Sequence, residues 1–292
     1  MSLKDTLFSV KQTINCGGVL IDLSIPRVMG ILNITPDSFY DGGRYKNEKE
    51  IMDRVEQMLS EGADIIDIGA CSTRPGSAGI TSEEEKQRIR SALVPVKSRF
   101  PSAVISIDTY RAEIAEYAVK EFGAGIINDI SAGTLDENMF KTVGKLNVAY
   151  VLMHMKGTPQ NMQVNPVYDD VVKEITAFFS EKTEMLYAAG VTDIIIDPGF
   201  GFGKSPADNF RLLNQLGLFR LTGLPVMAGL SRKSMVYRSL GKTPDEALNG
   251  TIVLETLALS NGASLLRVHD VKQAVEAVKL VELYKNADRD QT

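Results

Sequence analysis

Only two cysteines, Cys16 and Cys71, occur in 292 residues, and they form no CxxC pair. That excludes a thiolate metal site of the usual spacing and fits a reducing compartment. No run approaches the roughly 18 apolar residues of a membrane-spanning helix. The opening MSLKDTLFSVKQTIN lacks the apolar centre of a signal peptide, so a cytoplasmic protein with no membrane partner is expected. Excess positive charge is also missing: the formal net charge of −5 argues against a nucleic-acid partner, while leaving room for a local basic pocket that takes a small anion. No GxGxxG follows the first strand, no GxxxxGK[ST] occurs anywhere, and there is no HxxxH. Nor is there a linker rich in Pro, Gly or Ser, so residues 1–292 are expected to form a single domain.

What is present is periodicity. With 44% hydrophobic and 24% charged residues the chain can bury a large core. Thr13 to Ser24 reads as two short strands around Gly17-Gly18, a hairpin. After it, short apolar runs alternate with amphipathic stretches. Arg27 to Leu32 is a strand, and Asn47 to Glu61 a helix with Ile51, Met52, Val55, Met58 and Leu59 on one face. Asn47 with Glu50, Ser82 with Glu85, and Thr243 with Glu246 are expected as capping boxes, and Asp270 as the cap of the last helix. Further strands are expected at Ala63 to Gly69, Ala103 to Asp108, Gly125 to Asn128, Val148 to Met153, Asp193 to Asp197, Pro225 to Ala228 and Ser264 to Val268. Eight strands alternating with helices indicate an α/β fold, a closed (β/α)8 TIM barrel, with the N-terminal hairpin capping its bottom.

In such a barrel the active site lies where the strands end. Those ends carry Asn33, Ser72-Thr73-Arg74, Asp108, Asn128, His154, Asp197, Ser231-Arg232-Lys233, and Arg267 with His269. Taken singly, each has a bland reading as a turn or cap residue. Together on one rim they are costly unless they face a ligand. Asp108, Asn128 and Asp197 are acceptors suited to the amino-amidine edge of a flat heterocycle. Arg74, Arg267 and His269 suit an anion, helped by the free N–H groups at the start of the last helix. In DPGFGFGK, Phe200 or Phe202 can offer an aromatic face, and the glycines let backbone approach a ligand. His154, between Met153 and Met155, reads as core packing beside a pocket-facing methionine. Leu32 to Tyr45 leaves regular structure at Pro36 and Gly42-Gly43 yet carries Asn33, Asp37, Phe39 and Tyr40, which suits a binding loop that closes.

NITPDSFYDGG, STRPGS, SIDT, INDISAG, DPGFGFGK, LSRKS and RVHDV occur in this order, and the chain thereby resembles the dihydropteroate synthases. That resemblance implies condensation of 6-hydroxymethyl-7,8-dihydropterin pyrophosphate with p-aminobenzoate, releasing pyrophosphate, with Mg2+ as cofactor and a homodimer built through the late helices. It implies that Asp108, Asn128, Asp197, Lys233 and Arg267 bind the pterin, and that Asn33, Arg74, Arg267 and His269 face the pyrophosphate, with Asn33 also reaching the metal. Phe39, Thr73, Pro75, Phe202, Lys233 and Ser234 would border p-aminobenzoate. Asp108, Lys233, Arg267 and His269 would carry the catalysis. Where the family usually has a glutamate before Ser-Thr-Arg-Pro, this chain has Cys71. Two other readings share the pterin-reading acids: a corrinoid-linked methyltetrahydrofolate methyltransferase, and a silent paralogue that binds pterin without turnover.

Overall fold

A computed structural model describes residues 9–34, 44–71, 79–159, 161–162 and 166–287. Strands β1 (Thr13–Cys16) and β2 (Val19–Asp22) pair antiparallel as the expected hairpin. The strands β3 (Arg27–Asn33), β4 (Ile65–Gly69), β5 (Val104–Asp108), β6 (Ile126–Asp129), β7 (Ala149–Met153), β8 (Ile194–Asp197), β9 (Met227–Ala228) and β10 (Leu265–Val268) form one parallel sheet in the order β8-β7-β6-β5-β4-β3-β10-β9. The sheet closes where Ile196 bridges Val226 and the Ile196 N–H donates to Pro225 O at 3.0 Å. Around it run α1 (Arg44–Ser60), α2 (Ser82–Arg99), α3 (Ala112–Phe122), α4 (Met139–Leu146), α5 (Val171–Ala188), α6 (Pro206–Asn214), α7 (Ser234–Tyr237), α8 (Leu248–Ser260) and α9 (Val271–Asn286). This is the (β/α)8 barrel expected from the alternation.

Side chains on a strand alternate between faces, which divides the core in two. Val28, Leu32, Ile66, Ile68, Ile105, Ile107, Ile127 and Leu152 point outward and pack on the helices. Met29, Ile65, Ile126, Ala149, Val151, Ile195, Met227 and Leu265 point to the barrel axis, where Ile14, Cys16, Ile21 and Leu23 of the hairpin region close the strand-start end. Each such aliphatic side chain stabilises the fold by about 1.5–3 kcal/mol through burial. Higher up, the inward positions change character. Register pairs Asp67 with Ser106, and Gly69 with Asp108 and then Asn128, so the upper axis is polar.

The helix starts differ from expectation in four places. Helix α1 begins at Arg44, so Asn47 lies inside its first turns and does not cap it. Thr81, not Ser82, caps α2, its hydroxyl accepting from the Glu84 N–H at 3.2 Å; Glu85 is fully buried and turns instead toward β5. Thr243 and Glu246 do form a capping box, but it closes one 3-10 turn, Pro244–Glu246, before α8 begins. Asp270 stands at the cap position of α9 without a capping bond, because Arg232 takes both its oxygens.

Candidate active site

The strand-end residues that fall within the described part of the chain converge on one rim. Arg267, inward on β10, donates from Nε to Asp67 Oδ2 at 2.7 Å and from Nη2 to Asp108 Oδ2 at 2.7 Å. Asn128 donates from Nδ2 to the same Asp67 oxygen at 3.1 Å. That bond fixes the amide: with its nitrogen held by Asp67, Asn128 presents its carbonyl oxygen to a ligand. Asp67 is fully buried, and its Oδ1 has no protein partner. Asp197 closes the set from β8, with Oδ1 accepting from the Gly199 N–H at 2.7 Å.

Burial dominates the electrostatics. It raises the Asp108 carboxyl to about 7, Arg267 opposing and the charge of Asp67 adding to the rise. Burial likewise raises Asp197, against the pull of Lys233. Lys233 falls to about 8 for the same reason and stays mostly protonated at neutral pH. The acids hold Arg267 well above the ordinary arginine value despite its burial.

His269 is expected to face an anion; in the free protein it is neutral, lowered to about 4 by burial first and by Arg267 second. Its backbone N–H donates to Ser231 Oγ at 3.2 Å, and its Nδ1 meets the same oxygen at 3.1 Å. In the tautomer where the Ser231 hydroxyl donates to Nδ1, the ring proton lies on Nε2 and can donate to an anion. Arg54 of α1 adds a second nearby cation by donating to His269 O at 2.5 Å. A di- or trianion arriving here would raise the imidazole and protonate it.

The loop from Asp197 to Lys204 is built around a buried ammonium. Lys204 Nζ donates to the carbonyls of His154, Gly199 and Phe202 at 3.2, 2.8 and 2.9 Å. Phe200 is fully buried in the core, so Phe202 is the ring left for a ligand. Lys233 Nζ lies 4.7 Å from the Phe202 ring centroid and donates to Phe200 O. His154 is buried against Phe178, ring centroids 4.9 Å apart, and Met153 faces the axis, as expected. Two glycines keep the rim open. A Cβ on Gly229 would sit about 4 Å from Lys233 Nζ, Arg267 and Asp197 Oδ2 alike, and one on Gly69 would sit 3.4 Å from Asn33 Oδ1. A cavity of ≈ 750 Å³ between Arg27, Asp64, Val275 and Lys279 lies at the opposite end of the strands, away from this chemistry.

Phe39, Thr73, Arg74 and Pro75 lie outside the described residues. Ser234 opens α7, directly after Lys233. No group of three or more His, Cys, Asp or Glu able to hold a metal occurs among the described residues. Asn33 offers one carboxamide oxygen. That suits a hard cation such as Mg2+, which binds through few protein oxygens and chiefly through substrate phosphates. Three contributors escaped the reading of strand ends: Asp67, Glu85 and Lys204. Asp67 had a signal, since in Ile65–Gly69 it is a carboxylate two residues from the end on the inward parity.

Residues 29–269 match the family described as "Pterin binding enzyme". The dihydropteroate synthase of Escherichia coli K12 is 41% identical over 267 residues, covering 91% of this chain and 94% of that protein. A Yersinia pestis dihydropteroate synthase structure, in a sulfonamide drug complex, superposes with a TM-score of 0.88 at 40% identity, covering 94% of this chain and 99% of that one. A Xanthomonas albilineans dihydropteroate synthase with 4-aminobenzoic acid gives 0.87 at 39% identity, with coverage of 94% and 99%. The chain belongs to the dihydropteroate synthase family of pterin-binding enzymes. The half-buried Cys71 thiol is hydrogen-bonded with Tyr110. No helix of the described residues is long and apolar enough to cross a membrane.

Proposed function

We propose that this chain joins 6-hydroxymethyl-7,8-dihydropterin pyrophosphate to p-aminobenzoate, giving 7,8-dihydropteroate and pyrophosphate in folate synthesis. The observation that carries the reading is the acceptor set Asp108, Asn128 and Asp197 facing one space beside Arg267. A pterin edge offers several N–H donors, and each charge-assisted bond is worth roughly 1.5–3 kcal/mol net. Lys233 supplies the complementary donor to the ring carbonyl side. Arg267, fixed through Nε and one Nη2 proton, keeps its remaining N–H groups for the pyrophosphate.

The reaction breaks the C–O bond to pyrophosphate and forms a C–N bond from the arylamine lone pair. The proton lost by that nitrogen passes to the departing anion or to water. The pterin is electron-rich, so cleavage precedes attack in an SN1-like order, and the protein's task is charge stabilisation more than base catalysis. Asp108, when ionised, faces the positive charge that spreads over the ring. Arg267 and the Nε2–H of His269 take the negative charge that grows on pyrophosphate. Asn33, together with the phosphates, would hold Mg2+, which would supply further neutralisation there. Phe39, Thr73, Pro75, Phe202, Lys233 and Ser234 border the arylamine and exclude water from the cation. A cytoplasmic homodimer is part of the proposal; the exposed Leu257, Leu280, Leu283 and Tyr284 on α8 and α9 support it.

The test is pyrophosphate release from the pterin pyrophosphate that requires both p-aminobenzoate and Mg2+ and yields pteroate in equal amount. Release without condensation points to a hydrolytic variant, and none at all to a silent pterin binder. A C–O bond that never cleaves in the absence of p-aminobenzoate would remove support for the SN1-like order.

A further inference from the structure

Beneath the turn that carries Ser231 and Lys233 lies a carboxyl with no evident task in this chemistry. Glu255 is on the inner side of α8, one helical turn after Thr251, and both are buried. Neither Glu255 oxygen has a hydrogen-bond partner. The charged group acting on it is Asp270, at the start of α9. Asp270 in turn holds the Arg232 fork, accepting from Nε at 2.9 Å and Nη2 at 2.8 Å. Arg232 has a left-handed backbone, φ 54°, which is strained for a side chain of its size, and its N–H is secured by Thr251 Oγ1 at 3.1 Å. Its other contact is the exposed Asp245, 3.7 Å away. Of the neighbouring elements, α7 brings the apolar Val236 against α8 at Gly250. The buried acid of α6, Asp208, is engaged at its own helix start by Ser205 and Arg211.

We propose that Glu255 is a positioning residue acting through Asp270 and Arg232: uncharged, it leaves Asp270 to hold the Arg232 fork with both oxygens and so holds the Ser231–Lys233 turn; ionised, it repels Asp270, loosens that hold and lets the strained turn relax. The turn matters because Ser231 fixes the His269 ring and Lys233 reaches the Phe200 carbonyl and the Phe202 ring. An unpaired carboxylate in this apolar layer is costly, and its charge acts directly on Asp270. Burial, with Asp270 adding, pushes the Glu255 carboxyl up to about 8. The switch therefore falls just above neutral pH. A merely structural glutamate would contribute to stability without moving substrate affinity with pH.

This inference rests on the synthase reading of the site, so two probes are needed. The KM for the pterin pyrophosphate and the Kd for inorganic pyrophosphate, followed by calorimetry, are measured from pH 6.5 to 9.5 in the natural chain, Glu255→Gln and Glu255→Met. At pH 7 both variants should stay within about twofold of the natural chain. At pH 9 a group titrating near 8 is about nine-tenths ionised, so the competent fraction and hence the affinity of the natural chain fall about tenfold. Lys233 titrates alike in all three proteins, so only the difference between them reports Glu255. Rises in both constants that are about tenfold larger by pH 9 in the natural chain than in either variant support the proposal; parallel rises in all three overturn it. If turnover is absent at every pH, the functional reading fails and the pyrophosphate Kd still decides the positioning role.

Discussion

Replacing Asp67 by Asn tests the site at the residue on which it converges. The natural carboxylate accepts from Arg267 Nε at 2.7 Å and from Asn128 Nδ2 at 3.1 Å, fully buried. Breaking a buried ion pair costs about 3–5 kcal/mol. Arg267 keeps Asp108, so the loss of folding stability should sit near the lower end, about 3 kcal/mol. Loss of orientation in Arg267 and Asn128 removes roughly one charge-assisted bond, 1.5–3 kcal/mol, from the transition state. At about 1.36 kcal/mol per decade, kcat/KM for the pterin pyrophosphate should fall roughly 10- to 150-fold. The KM for p-aminobenzoate should move far less. A second effect has a definite sign. The charge of Asp67 helps to raise Asp108 to about 7, and Arg267 opposes it. Asp67→Asn removes the first influence and frees the second to concentrate on Asp108, so both push its carboxyl down. If ionised Asp108 is the competent form, the acid limb of the kcat/KM profile, near pH 7 in the natural chain, must move to lower pH. Pyrophosphate release measured from pH 5 to 9 decides it. An acid limb that stays put or moves up, or a kcat/KM within threefold at pH 8, would refute the shared role of Asp67.

Phe202→Ala removes the ring under Lys233, and should raise the KM for p-aminobenzoate severalfold while pterin pyrophosphate affinity, read by calorimetry, stays within twofold. Phe39→Ala should likewise weaken use of p-aminobenzoate far more than pterin pyrophosphate binding; equal losses would sink its assignment to the closing loop. Lys204→Met leaves the His154 and Phe202 carbonyls without their donor, while Gly199 O keeps the Phe202 N–H; at about 1–3 kcal/mol for each unsatisfied buried group, thermal unfolding should come earlier by roughly 3–10 °C. Glu255, raised from its ordinary 4.5 to about 8, binds a proton in the folded state that the unfolded state has released; its stabilising effect is complete below pH 4.5 and lost as pH rises through 8. Urea midpoints should therefore decline over that window more steeply in the natural chain than in Glu255→Gln.

The barrel was legible because its two periodicities do not overlap: runs such as Ile65–Gly69 are buried on both faces, whereas the helices between them are buried on one. The rim was legible because polar residues ending apolar runs stand out. Asp67 was not, since a carboxylate inside a strand looks like an interruption until the register sets it beside Ser106 and under Asp108. Glu85 was misread for a similar reason. Its spacing from Ser82 fits a cap, but Thr109 at 2.7 Å and Arg111, just past the end of the neighbouring β5, give it better partners. The charge of His269 could not be read either. Its neutrality comes from burial and from Arg267, neither of which is a property of the RVHDV segment itself.

The inner wall explains why such a site needs no dedicated base. Asp67, Asp108 and Asp197 face Arg267 and Lys233, so with His269 neutral the acids exceed the cations by one. Asp108, raised to about 7, is the carboxyl that shares a proton near neutral pH. A ring that develops positive charge can replace that proton. Departure of pyrophosphate and ionisation of Asp108 then favour each other, because each removes the other's unbalanced charge from a buried space. The same balance sets a limit on the anion half. With burial and Arg267 lowering His269 to about 4, its imidazole would take up a proton only beside an arriving anion, so under the proposed function the cation meeting pyrophosphate would be completed by the substrate itself.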